Sequence, residues 1–451
     1  MRVTTLVGFL FGFRNSVLAV ANCRQAAWLG LLFVISAGFA REYDAEDLLH
    51  DPWYLLLPVA ASLVTSLILF LLVELRFSRR AKTEDGMDSA EPSAALPQRR
   101  WFWIKRSRYR SFLGLYWMTA PLAWLYAIPV ERFLDAGDSA RANLSLLGIV
   151  ALWRVLLMSR VVSIIYRQTQ IAALFVVLLF GDSIALAVLW LTPLPIFNIM
   201  GGIHLSEAES TILSTSLMVM FIGAVSWPVW LGGTVLYSLI YPEHREPWRD
   251  VDFESTHSPR VSNGAWFLGA ASILVWSVVL PFTQPEQMYR RQVEIDLRTG
   301  RVHEAVTLMS SLRPADFPPH WDPPPRLGYG ESEPSIIAVL LEIQKQDAPP
   351  WVRDLYWGKM NNQTSTGHVN RFGYAIPLAE LDDQTLEGYI GLMRKSPSGP
   401  MLAKYHENEI RSQLRVGDED MPAEPLSPRR EELLRSILEV LPKDEQPSVD
   451  Q

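Results

Sequence analysis

Two ionisable residues stand alone inside long apolar runs: Arg154 within Ala151, Leu152, Trp153, Arg154, Val155, and Asp182 within Phe180, Gly181, Asp182, Ser183. A charge at hydrocarbon depth is costly unless a partner or a wet cavity receives it, so such residues mark ion or proton paths, or buried pairs. Counted at about 1.5 Å per residue from Ile165 and Ile171, both lie roughly 17 Å deep, on helices that run antiparallel. Equal depth predicts that they pair. The pair would either fix how two spans pack or form the centre of a proton, ion or substrate path.

Asp47, His50 and Asp51 recur at helical spacing in an acidic loop and offer an oxygen and imidazole face for a divalent metal. Solvated acidic residues on the outer side of a membrane give the same pattern, so no metal or other cofactor is assigned. The remaining histidines are scattered, with no HxxH, HxxxH or HExxH spacing. One cysteine, Cys23, excludes an internal disulfide and a Cys-based zinc or iron–sulfur site within one chain. No P-loop, Rossmann glycine pattern, nucleophile elbow, paired-carboxylate signature or kinase set occurs, which weakens an enzymatic reading.

The elements that position these residues are apolar blocks. A hydrocarbon core of about 30 Å takes about 20 apolar residues per helical crossing. The blocks 26–40, 53–73, 111–130, 144–165, 171–191, 211–240 and 265–281 approach or exceed that length. The expected fold is all-α: a polytopic transmembrane helical bundle of six to eight spans, best taken as seven, over 26–281. A soluble helical domain follows over 282–442, with a disordered tail at 443–451. Leu6, Phe9, Leu10, Phe13 and Val17 recur at helical spacing, which predicts an interfacial amphipathic helix over 1–25 in preference to a cleaved signal peptide.

Ten Lys and Arg residues lie between Glu74 and Arg110, so that loop is expected in the cytoplasm. The acidic loop 41–52 is then outer, the N-terminus cytoplasmic, and seven crossings put the C-terminal domain outside. The block 211–240 is long for one span and contains Pro228 between Trp227 and Trp230, so a re-entrant pair that would return the tail to the cytoplasm is the alternative. These tryptophans read as interface anchors or packing residues.

From Phe282 onward 19 Lys and Arg face 27 Asp and Glu, a net charge of −8, which argues against nucleic acid as a partner. Two amphipathic helices meeting at Gly300 form an αα-hairpin, and further helices are expected over 335–346, 351–360, 379–394, 402–414 and 429–441. Between them lies the Pro-rich stretch 317–326. Trp321, Pro323, Pro324 and Pro325 are its candidates for seating in an aromatic groove of a partner, although a brace holding Phe317 and Trp321 on the helices fits the same residues.

The runs Ser36-Ala-Gly-Phe-Ala-Arg-Glu-Tyr-Asp44, YWMTAPLAWLYAIPVERF from Tyr116 and FPPHWDPPPR from Phe317 resemble an uncharacterised family of bacterial multi-pass inner-membrane proteins. That resemblance implies a bacterial inner membrane and a shared architecture, and carries no activity, cofactor or residue role. The functional expectation is a non-enzymatic scaffold or assembly factor, held in a lipid bilayer and binding a protein partner through 286–441. The alternative is a transporter or channel working through Arg154 and Asp182.

Overall fold

The computed structural model describes residues 1–78, 98–191, 207–240, 247–253, 259–325, 334, 336–364, 378, 383–395, 399–414 and 426–441. The basic positions 79–82, Gly201, Gly202, Arg326 and the tail 443–451 lie outside them. The described residues are helical, without strands. The chain divides into two compact units, one holding Met1–Leu194 and Ser206–Gln287, the other Met288–Gln451.

The first unit opens with α1 (Val3–Leu10) and α2 (Arg14–Ala21), bent by 117°. The interfacial helix expected over 1–25 is therefore two short helices. The break falls at Phe11-Gly12, where Gly12 takes φ +70°, a region closed to most side chains. Next come α3 (Ala26–Glu42), α4 (Leu56–Ser78) and α5 (Gln98–Trp117), which runs into 3-10 turns at Ala120–Ala127 and Val130–Arg132. The unit closes with α6 (Ala136–Ile165), α7 (Gln170–Leu191), α8 (Glu207–Ile240) and α9 (Asn263–Arg298).

Among the described residues, six helical stretches are long and apolar enough to cross a membrane: Pro52–Phe77, Arg106–Arg132, Ala136–Ile165, Gln170–Leu191, Glu207–Ile240 and Asn263–Arg298. The α1–α2 pair raises the number to seven if it forms one span. The block 211–240 is one continuous helix through Pro228, not a re-entrant pair. A proline removes one ladder bond and bends a helix without having to end it.

Helix α3 is only 17 residues long, yet it is tied to α9 at both ends. Gln25 Oε1 accepts from Val261 N at 3.0 Å, and beyond the other end Gln284 Nε2 donates to Tyr43 O at 3.0 Å and Glu46 O at 2.9 Å. Met1 shares the first end, its carbonyl accepting from Ser262 N at 2.9 Å. Arg132 shares the second, paired with Glu286 at 2.8 Å.

In the second unit the expected αα-hairpin forms, but its first helix is the continuation of α9 through Pro281 and Pro285, not a new element. Gly300, at φ +78°, ends that helix and α10 (Val302–Ser311) returns. α11 (Ile336–Lys345) packs on α10 and on α12 (Pro350–Thr364). α13 (Asp383–Lys395), α14 (Gly399–Leu414) and α15 (Pro428–Leu438) pack on one another. An apolar core that includes Leu297, Met309, Val339, Tyr356, Tyr389 and Ile437 runs through them.

Candidate functional site: a polar cluster at mid-span

Asp182 stands 12 residues into the 22-residue α7, about 18 Å along its axis. Its carboxylate faces α8. Oδ2 accepts from Ser226 Oγ at 2.5 Å and from Trp230 Nε1 at 2.7 Å. The neighbouring Ser183 Oγ accepts from Trp227 Nε1 at 2.9 Å and donates to Leu179 O at 2.7 Å. Five residues on two helices thus exchange hydrogen bonds around Pro228, whose missing N–H already interrupts the α8 ladder.

The helices approach closely beside the cluster. A Cβ on Gly233 would stand 2.7 Å from the Phe175 ring, and that ring lies 6.0 Å from the Trp230 indole. Farther along, Thr169 Oγ1 and Tyr237 Oη meet at 2.5 Å. Ser226, Trp230, Gly233 and Tyr237 follow one another at spacings of four, three and four, which is one face of a helix.

Arg154 is elsewhere. Its guanidinium carbon lies 5.5 Å from the centroid of the Tyr116 ring, whose hydroxyl meets Thr65 Oγ1 at 3.1 Å. No ion pair joins Arg154 to Asp182. Equal depth fixes height but not direction around the helix, and the two side chains turn to different neighbours, Arg154 to α5 and Asp182 to α8. A cation over an aromatic face recovers part of the lost hydration without an ion pair.

Two further clusters, unforeseen from sequence, repeat the pattern. Ser36, fully buried on α3, accepts from Trp124 Nε1 at 3.1 Å and from Trp276 Nε1 at 3.2 Å, with its hydroxyl 3.2 Å from Ser272 O. Glu74 pairs with Arg108 at 2.9 Å and accepts from the buried Tyr166 hydroxyl at 2.8 Å. Burial, then the Glu74 charge, pushes the Tyr166 phenol well above its ordinary range, so it stays a donor.

The metal face expected at Asp47, His50 and Asp51 does not form. These residues lie in turns, not on a helix, so helical spacing does not bring them to one side. Asp47 is buried and accepts from His50 N at 3.3 Å, while Asp51 accepts from Trp53 Nε1 at 3.2 Å. No group of three His, Cys, Asp or Glu suited to a metal ion occurs among the described residues.

The Pro-rich stretch is also turned inward. Pro323, Pro324 and Pro325 are buried, Tyr356 donates to Pro324 O at 2.9 Å, and Trp321 stacks on Phe317 at 4.6 Å while donating to Glu294 at 3.0 Å. It braces its own domain, which leaves those prolines no free face for a partner.

Chemically, the mid-span cluster offers one carboxylate with two hydroxyls and two indole donors. It holds no nucleophile–base pair and no second carboxylate. What it does well is join α7 to α8, since interhelical hydrogen bonds inside a bilayer contribute about 0.6 kcal/mol on average and up to about 1.7. No known protein family, curated protein or solved structure matches this chain.

Proposed function

We propose that this chain is a membrane-embedded scaffold or assembly factor: a seven-span bundle that presents a soluble helical domain, on the outer side of a bacterial inner membrane, to a protein partner. The observation that carries this reading is the use of the intramembrane polar groups. Asp182, Ser183 and Ser36 are engaged in hydrogen bonds between helices of the bundle. A transport site keeps such groups available to a solute or a proton, whereas a scaffold uses them to fix its helices.

Seven crossings follow if α3 is counted, which its ties to both ends of the membrane stretch of α9 support. The basic loop after α4 sits on the cytoplasmic side by charge, and an odd number of crossings then exports the tail. The net negative charge of the tail suits a basic or polar protein face and not nucleic acid.

Co-purification in mild detergent tests the proposal. A stoichiometric protein partner that is lost on deleting 286–451 supports it. A solute or proton flux in reconstituted vesicles that disappears in Asp182→Asn overturns it in favour of a transporter.

A further inference from the structure

A groove of about 640 Å³ lies between α3, the Ala120–Ala127 turn and α9. That volume falls in the range of small-molecule sites, and the walls are mostly apolar. Along α9 it runs from Leu268 to Thr283, about 22 Å of axis and most of the depth of a hydrocarbon core. Trp124 and Trp276 form part of its wall, and the hydroxyl of Ser36 holds both indoles in place.

One end of the groove is polar. Arg132 lines it, 42% exposed and paired with Glu286 at 2.8 Å. Tyr43 lines it too, its hydroxyl donating to Ala127 O at 3.3 Å. Thr283 is 7% exposed, lines the same end, and its hydroxyl has no hydrogen-bond partner. A buried hydroxyl in a helix normally bonds a carbonyl one turn back, so an unbonded one costs free energy until a ligand atom meets it.

The charges there are unequal. Glu286 already neutralises Arg132, while among the described residues Asp44 makes no ion pair and Glu131 accepts from the Asn143 amide. Burial, then the negative charge of Glu131, pushes the Asp44 carboxyl up to about 6, as expected of carboxylates crowded without enough cations. A purely anionic headgroup would meet repulsion. A headgroup carrying both signs would not.

We propose that this groove binds one zwitterionic aminophospholipid, with an acyl chain laid along α9 against Trp276, the phosphate at Arg132 and Thr283, and the ammonium toward Asp44 and Glu131. The occupant follows from the length of the apolar channel, the guanidinium and free hydroxyl at its polar end, and the surplus of carboxylate around them. The site goes beyond the scaffold reading and stands whether or not the tail has a protein partner.

Native mass spectrometry of the delipidated full chain, titrated with phosphatidylethanolamine, phosphatidylglycerol or diacylglycerol of matched acyl chains, tests it. One phosphatidylethanolamine per chain should bind about tenfold more tightly than either other lipid. Val275→Trp, which fills the groove, should abolish that adduct. Thr283→Val keeps the shape and should weaken binding several-fold, and Asp44→Asn should remove the preference over phosphatidylglycerol; these two carry the test if Val275→Trp does not fold. Equal binding of all three lipids, or an undiminished adduct in folded Val275→Trp or in both Thr283→Val and Asp44→Asn, overturns the proposal.

Discussion

The two units of this chain solve opposite problems with the same secondary structure. In the first, large apolar side chains are turned outward in number, among them Leu67, Ile68, Trp190, Phe221, Phe267, Leu274 and Phe282. Ser36 and Glu74 are buried inside it, and the half-buried Asp182 cluster joins two of its helices. In the second, the exposed large hydrophobics among the described residues are few, namely Met288, Ile295 and Tyr405, and the paired charges lie mostly at the surface. Where lipid is the solvent, burying apolar surface gains little and polar contacts join the helices; where water is the solvent, the apolar core does so.

The sharpest way to break this contrast is to insert the wrong group into each region. Leu297→Ala, at a fully buried site in the second unit, should cost about 2–5 kcal/mol. Chemical denaturation of the full chain, followed by proteolysis of the tail, would measure it. Leu274→Arg, at a 65% exposed site of the first unit, should cost about 2.5–3.5 kcal/mol of membrane insertion. Ile295→Lys, exposed in the second unit, should change stability by no more than about 0.5 kcal/mol. Similar costs for Leu274→Arg and Ile295→Lys would remove the contrast.

Next in size is the mid-span cluster. Trp230→Phe removes one donor to Asp182 and should lower the detergent melting stability by about 1 kcal/mol, within the 0.6–1.7 range of such bonds. If the bond is real, Asp182→Asn combined with Trp230→Phe should cost less than the sum of the two single changes.

Acid separates the two regions by sign. Asp44, in the first unit, has its carboxyl raised to about 6 against 3.8 when unfolded. Between those values the folded chain binds more protons, so stability rises as pH falls from about 7 to 4, and Asp44→Asn should flatten the trend. His406, in the second unit, is buried between the Tyr389 hydroxyl at 3.0 Å and Glu409 at 3.2 Å. Burial, against the pull of Glu409, lowers its imidazole below 6.5, so the unfolded chain takes the proton first and stability falls as pH drops through 6.5. Melting curves read separately from each region between pH 4 and 7.5 should slope in opposite directions.

Much of this was legible in the chain itself. The apolar blocks mark the long helices because a bilayer imposes length directly on composition. The hairpin at Gly300 is visible because its periodicity and its terminating glycine agree. What escaped was direction around a helix. Arg154 and Asp182 match in depth, but depth carries no azimuth, and Asp182 chose Ser226 and Trp230 instead. The spacing of Ser226, Trp230, Gly233 and Tyr237 held that information as a polar and small-residue stripe on an otherwise apolar helix. Ser36 gave no signal, since one serine among small residues gains its meaning only when Trp124 and Trp276 arrive from distant segments. The turn geometry at Asp47–Asp51 was equally hidden, because spacing describes a helical face only where a helix exists.

The account rests on lipid being the solvent of the first unit. An alkaline carbonate wash of membranes from expressing cells, followed by ultracentrifugation without detergent, tests this directly. The account predicts that the full-length chain stays in the membrane pellet, and full-length chain in the supernatant would contradict it.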